Sequence, residues 1–240
     1  MRLGSINRTG YDPCPRKTQI RLRPRLGRER GSLCPFASQQ SQPLRRFGRV
    51  HGLGLLRCTG MVTVTLGAGH IPAFQYPGDM TDLYSYVMKK IDPAVGALSN
   101  CTVAHIPHET VAALSEKYPN LQYTFWRDTM IDASISHSWA LGGGRKTLER
   151  VAHMLCEIFV RLELVGQAEL ARPLPFTATR QDLADALGLS LVHTNKTMAS
   201  LKARKLIKRT GAKLQILDWD GLKSVAGFDP SYLHFKQPHF

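Results

Sequence analysis

Thr179-Arg180-Gln181-Asp182-Leu183-Ala184-Asp185-Ala186-Leu187-Gly188-Leu189-Ser190-Leu191-Val192-His193-Thr194-Asn195-Lys196-Thr197-Met198-Ala199-Ser200-Leu201 is the stretch on which the fold turns. Leu183 and Leu187 lie one helical turn apart, and Ala184 is small enough for a second helix to cross closely above it. Gly188 permits the left-handed backbone that ends the first helix. Leu189 then points back into the crevice, Ser190 can accept from the first free amides of the next helix, and Met198 and Leu201 continue the buried side. The spacing predicts a helix-turn-helix, a unit whose second helix enters the major groove of DNA. The alternative is an ordinary helical hairpin in an unrelated core. Thr194 and Thr197 stand where the second helix usually buries aliphatic side chains, which predicts looser packing than in most such units.

The next residues extend the unit. Leu201-Lys202-Ala203-Arg204-Lys205-Leu206-Ile207-Lys208-Arg209 runs from a helix end into a strand, and Thr210-Gly211-Ala212 supplies a turn before Lys213-Leu214-Gln215-Ile216-Leu217. A helix-turn-helix followed by a β-hairpin is a winged helix. Residues 176–215 carry eight basic side chains (Arg180, Lys196, Lys202, Arg204, Lys205, Lys208, Arg209, Lys213) against Asp182 and Asp185, a net +6. Such a surface attracts phosphates, and its binding should weaken steeply with salt.

These residues resemble the winged helix of the Crp/Fnr superfamily of bacterial transcription regulators, and the resemblance extends over about residues 71–228. In that family an effector-sensing β-roll is followed by a long dimerisation helix and then the winged helix. Phe74-Gln75-Tyr76-Pro77-Gly78-Asp79-Met80 looks like the roll's Pro-Gly-Asp turn, and residues 97–106 with Pro107-His108-Glu109 are similar to its last strand and the helix start after it. The resemblance implies an α+β fold. Its parts would be a partial, cyclic-nucleotide-binding-like β-roll sensor over residues 71–118, a dimerisation helix over 119–141 and a C-terminal winged helix-turn-helix DNA-binding domain over 145–228. It also implies a homodimer acting on an inverted repeat in double-stranded DNA, with RNA polymerase as a further partner.

The middle of the chain fits this order by its own pattern. Between Pro119 and Leu141, Leu121, Phe125, Ile131, Ile135 and Trp139 form one apolar side of a helix, and Tyr123, Trp126, Met130 and Leu141 another. A helix apolar on two sides must bury both, one on the sensor and one on a partner's equivalent helix. A core helix of a monomer is the alternative, and Asp128 and Asp132 interrupt the first stripe. Gly142-Gly143-Gly144 then reads as a hinge through which an effector would reorient the recognition helices. From Arg145 to Val165 a cleaner amphipathic helix is expected, with Leu148, Val151, Leu155, Ile158, Phe159 and Leu162 on one face. Arg145, Glu149, Arg150, His153, Glu157 and Arg161 occupy the other.

The sensor's chemistry departs from the best-known relatives. Cyclic-nucleotide binders of the family follow the turn with a Gly-Glu pair and a later Arg-Ser or Arg-Thr. Here the comparable stretches are Thr81-Asp82-Leu83-Tyr84-Ser85 and Asp92-Pro93-Ala94-Val95-Gly96-Ala97, and residues 71–126 hold no arginine. A cyclic phosphate without its guanidinium would be poorly compensated, and Asp82 and Asp92 would repel it, so no tight cyclic AMP binding is expected. The oxygen-sensing branch uses a cysteine cluster for an iron–sulfur centre. Cys14, Cys34, Cys58, Cys101 and Cys156 offer no Cys-x-x-Cys, so reduced thiols are expected and a cluster is not. His105 and His108, separated by Pro107, make a weak metal pair, and no metal site is expected.

Residues 1–70 hold thirteen basic side chains against Asp12 and Glu29, a net +11 of the chain's +14. The segment is rich in Arg, Pro, Gly and Ser, with strand-like alternation only at Met61-Val62-Thr63-Val64-Thr65-Leu66. It is expected to be foreign to the roll: a disordered basic arm, a targeting peptide, or, the reading favoured, a region translated in a shifted frame up to His70-Ile71.

No apolar run approaches membrane-spanning length, no secretory signal begins the chain, and the expectation is a cytoplasmic protein without membrane contact. Walker, Gly-x-Ser-x-Gly and dinucleotide signatures are absent, so no enzyme is expected. Two classes remain: a sequence-specific dimeric regulator, and a nonspecific nucleic-acid-binding or protein-interaction module without an effector. By the resemblance, Val192, His193, Asn195 and Lys196 hold base-reading positions. Asn195 can pair bidentately with adenine, Lys196 can donate to guanine and Val192 can meet a thymine methyl. Arg180, Gln181, Ser190 and Thr210 resemble phosphate-contacting positions, with Arg209 beside them on the wing.

Overall fold

The computed structural model describes residues 53–56, 62–66, 70–76, 79–81, 83–88, 94–98 and 103–235. Six short strands come first: β1 (Leu53–Leu56), β2 (Val62–Leu66), β3 (His70–Gln75), β4 (Met80–Thr81), β5 (Ala94–Ala97) and β6 (Val103–Ile106). They form two antiparallel three-stranded sheets, ordered β4-β1-β6 and β3-β2-β5. Leu53 pairs with Ile106 and Leu56 with Val103 in the first, and Val62 faces both Gln75 and Ala97 in the second.

This corrects the expected boundary at residue 71. β1 and β2, upstream of it, are the central strand of each sheet, so the roll begins before His70. The alternation at residues 62–66 was the visible trace of β2, whereas Leu-Gly-Leu-Leu is too short and too apolar to show a period among its arginine- and glycine-rich neighbours. The readings offered for residues 1–50 lie outside the described residues, as do Pro77, Gly78, Asp82 and Asp92.

Helix α1 (His108–Lys117) follows β6, and Tyr118 separates it from α2 (Pro119–Leu141), whose first residue is the proline that starts helices well. The 23 residues of α2 make a rod of about 35 Å. Ile135 is buried and Leu121, Phe125, Ile131 and Trp139 are half-buried on one side, while Tyr123, Trp126, Met130 and Leu141 are 50–69% exposed on the other. Gly142–Gly144 forms a single 3₁₀ turn, with Gly142 at φ −61°, so glycine is not demanded there by the backbone angle.

Helix α3 (Thr147–Leu164) departs from the expected two-faced pattern. Val151, Leu155, Ile158, Phe159 and Leu162 are buried as expected, but so are His153, Glu157 and Arg161 from the face assigned to solvent. The helix lies at the centre of a core shared by Phe74 and Tyr76 of the roll, Ile135 of α2 and the buried residues C-terminal to it. Glu157 and Arg161 survive there because each finds a polar partner among its neighbours, and His153 lies against the rings of Phe228 and Tyr232.

The remainder is β7 (Leu174–Pro175), α4 (Arg180–Leu187), α5 (Leu191–Ala203), β8 (Ile207–Thr210), β9 (Lys213–Ile216), α6 (Trp219–Ala226) and a closing 3₁₀ turn, Pro230–Leu233. The third sheet runs β7-β9-β8, antiparallel throughout. Packing continues past residue 228: Leu233 is fully buried and Tyr232 donates to Glu157 Oε2 at 2.7 Å.

Candidate nucleic-acid interface

Local chemistry builds the reader. Thr179 and Asp182 cap α4 reciprocally, the Asp182 amide donating to Thr179 Oγ1 at 3.1 Å and the Thr179 amide to Asp182 Oδ2 at 2.7 Å. Gly188, at φ +58°, ends α4 in the left-handed conformation, and Leu189 N–H returns to the Ala184 carbonyl at 2.9 Å. Ser190 caps α5 by accepting from His193 N–H at 3.3 Å. Thr194, Thr197, Met198 and Leu201 form the buried side of α5, and the Thr194 hydroxyl is satisfied by the Ser190 carbonyl at 3.2 Å. That bond explains how a threonine occupies an aliphatic position.

On the opposite side, Val192 and Lys196 stand exposed one turn apart, with His193 exposed on one flank and Asn195 half-buried on the other. Arg180, exposed at the start of α4, donates through Nη1 to Asn195 Oδ1 at 2.9 Å. Ser190 Oγ lies 2.7 Å from His193 Nδ1, and Gln181 donates to Asp185 Oδ1 at 2.6 Å. Thr210 is exposed at the end of β8, where Gly211 at φ +58° makes the wing's turn. Lys202, Arg204, Lys205, Lys208 and Lys213 are all exposed around this surface.

Arg209 is placed differently from the other phosphate candidates. Its Nη2 donates to the Ala178 carbonyl at 2.8 Å, its Nε to the Gly211 carbonyl at 3.3 Å, and its guanidinium lies 5.0 Å from the centre of the Phe176 ring. Burial, followed by the charge of Arg180, lowers its pKa, with Asp182 opposing. Arg209 braces the wing against the loop before α4 instead of standing free beside Thr210.

Sequence reasoning overlooked a second cluster. Arg161 reaches from α3 into the roll, with Nη2 2.6 Å from Asp79 Oδ2 and Nη1 donating to the Phe74 carbonyl at 3.2 Å. Asp79 Oδ2 also accepts from Tyr76 N–H at 2.7 Å, and the Arg161 guanidinium covers the Tyr76 ring at 4.4 Å. Glu157 Oε2 accepts from Trp139 Nε1 at 2.8 Å and from Tyr232, while Oε1 lies 3.6 Å from Arg161. Burial works against the charge on Arg161, but Asp79, Tyr76, Glu157 and Asp132 outweigh it. Burial pushes Asp132 up to about 7, Arg161 opposing and Asp79 and Asp128 adding to the rise. The only signal in the chain was Glu157 and Arg161 four residues apart on one helix face, a spacing more often met at a solvated surface.

Cys156 is fully buried in α3, where burial pushes its thiol up to about 12, Lys223 opposing. The other four cysteines lie outside the described residues, among which no three His, Cys, Asp or Glu side chains cluster as metal ligands. No helix among the described residues is long and apolar enough to cross a membrane.

Residues 149–225 match the family described as the Crp-like helix-turn-helix domain. The chain is 25% identical over 162 residues to transcriptional activator protein anr of Pseudomonas aeruginosa, covering 67% of this chain and 66% of that protein. It is 26% identical over 195 residues to the anaerobic regulatory protein of Pasteurella multocida, covering 79% and 70%. The structure of FixK2 from Bradyrhizobium japonicum superposes with a TM-score of 0.63 at 21% identity, over 76% of this chain and 94% of that one, a likeness of fold.

Proposed function

We propose that the chain is a bacterial transcription regulator of the Crp/Fnr superfamily, a sequence-specific DNA-binding protein acting as a homodimer on an inverted repeat. The observation that carries the reading is the exposed face of α5. Val192 and Lys196 stand at its centre, Asn195 is held by Arg180, and both helices of the helix-turn-helix are capped at their N-termini. Val192, His193, Asn195 and Lys196 read base edges in the major groove, and Arg180, Gln181, Ser190 and Thr210 fix the register on phosphates. Lysine lacks the guanidinium fork, so Lys196 makes a weaker guanine contact than an arginine would.

The exposed stripe Tyr123, Trp126, Met130 and Leu141 pairs α2 with its copy in a second chain. Regulation then passes through the roll without cyclic AMP or an iron–sulfur cluster, in the cytoplasm, with RNA polymerase as the further partner. Selecting bound sites from random duplexes with purified protein tests the reading. The expected outcome is an inverted repeat bound at least about 10³-fold more tightly than random DNA at fixed salt. A salt-dependent background with no site preference would instead favour the nonspecific module.

A further inference from the structure

A crevice at the turn between α2 and α3 plays no part in reading DNA. Ser138 and Gly142 line it from the α2 side, Arg145, Arg150 and His153 from the α3 side, and Leu187 from the end of α4. It holds about 20 Å³, room for one water-sized group, and opens to solvent.

Its lining is one-sided in charge. No carboxylate lines it, and among the described residues neither Arg145 nor Arg150 makes an ion pair. Arg150 donates through Nη2 to the Leu187 carbonyl and keeps its other donors. His153, stacked on Tyr232, is pushed down to about 4 by burial and then by the Arg145 charge, so the crevice sets cationic side chains beside a neutral ring. Gly142 is buried, yet a Cβ built on it would meet nothing within 4 Å.

We propose that the crevice binds one oxygen of a small oxyanion, sulfate-like or carboxylate, through Arg145 and Arg150 with the Ser138 hydroxyl. Guanidinium groups suit such an oxygen by charge and by their fixed donors, and the remainder of the ligand stays in solvent. The ligand ties the end of α2, the start of α3 and the end of α4 together across the glycine turn. It is thereby a second point of control on the orientation of the reader.

Calorimetric titration of the full chain with sodium sulfate and, separately, sodium acetate, at ionic strength held constant with sodium chloride, tests this. Saturable binding of either anion at one site per chain is expected. Arg145→Gln, at an exposed side chain whose loss leaves the fold intact, should weaken it at least about tenfold. Ser138→Ala, which removes the hydroxyl donor, should weaken it about threefold or more. Arg180→Ala, at the reader, should leave it unchanged. Absence of saturable binding by both anions overturns the proposal, as does wild-type affinity in both Arg145→Gln and Ser138→Ala. Loss of binding in Arg180→Ala would place the anion on the DNA-binding surface and overturn it equally.

Discussion

Replacing Arg161 by alanine tests whether the roll and the winged helix form one cooperative body. Arg161 is 7% exposed, ion-paired with Asp79 at 2.6 Å, and donates to the Phe74 carbonyl at 3.2 Å. Removing one partner of a buried pair costs about 3–5 kcal/mol, because the other is left charged and poorly solvated. Two features place this case at the low end. The Asp79 side chain is 29% exposed and can rehydrate, and Glu157 keeps Trp139 and Tyr232 as donors. The expected loss is therefore about 3 kcal/mol. Asp79→Asn keeps an oxygen for Tyr76 N–H and leaves Arg161 facing Glu157 at 3.6 Å, so it should cost only about 1–2 kcal/mol. The double mutant should then cost less than the two singles together by about 1 kcal/mol or more. Urea unfolding at pH 7, followed by tryptophan fluorescence, measures all three, and Trp139 reports from beside Glu157. A loss below about 1 kcal/mol in Arg161→Ala, with additive singles, would show that the contact couples nothing.

Asp132 gives a stability effect of opposite sign to the usual carboxylate. It titrates near 7 in the folded chain against 3.8 for the free side chain, so the unfolded chain releases its proton first and stability falls as pH rises from about 4 to 7. Asp132→Asn should raise stability by about 1–2 kcal/mol at pH 8 and leave it unchanged at pH 4, in urea titrations at the two pH values. Asn195→Ala should relax preference at one base position and Arg180→Ala should weaken all sites. Because the two side chains are bonded, their effects on anisotropy-measured affinity should be non-additive, and strict additivity would count against the bond. Trp126→Glu, on the exposed stripe of α2, should shift sedimentation at micromolar concentration from dimer to monomer while leaving the unfolding midpoint of a dilute sample within about 0.5 kcal/mol in stability. A dimer persisting in that variant would remove α2 from the interface.

The helix-turn-helix was legible because every rule that builds it is local. Thr179, Gly188 and Ser190 act on neighbours within four residues, and the buried side of α5 follows from spacing alone. The two stripes of α2 were legible for the same reason, although spacing alone did not say which of them a single chain leaves uncovered. Three things were not. β1, four residues long, takes its meaning from a partner as far away as Ile106, and β2, whose alternation was visible, gave no sign of the sheet it centres. Arg209 reads as one more wing cation until the Ala178 carbonyl is placed beside it. Arg161 and Asp79 meet across 82 residues of sequence, and periodicity, which assigned Arg161 to solvent, says nothing about contacts of that range.

That long-range contact bears on how a signal could reach DNA. A glycine turn alone would let α2 and α3 move independently, and a motion in the roll would then be dissipated there. Asp79 lies in the turn between β3 and β4, and through Arg161 it holds α3 directly, bypassing Gly142–Gly144. Arg150, on the same helix about three turns earlier, holds the Leu187 carbonyl at the end of α4. One route from Asp79 to the reader therefore runs through one helix and two side-chain contacts. Displacing the β3–β4 turn must either carry α3 with it or break the Arg161 pair. In the first case the recognition helix moves with α3, and in the second α3 keeps only its apolar contacts with Phe74 and Tyr76, so both outcomes change what the glycine turn is free to do.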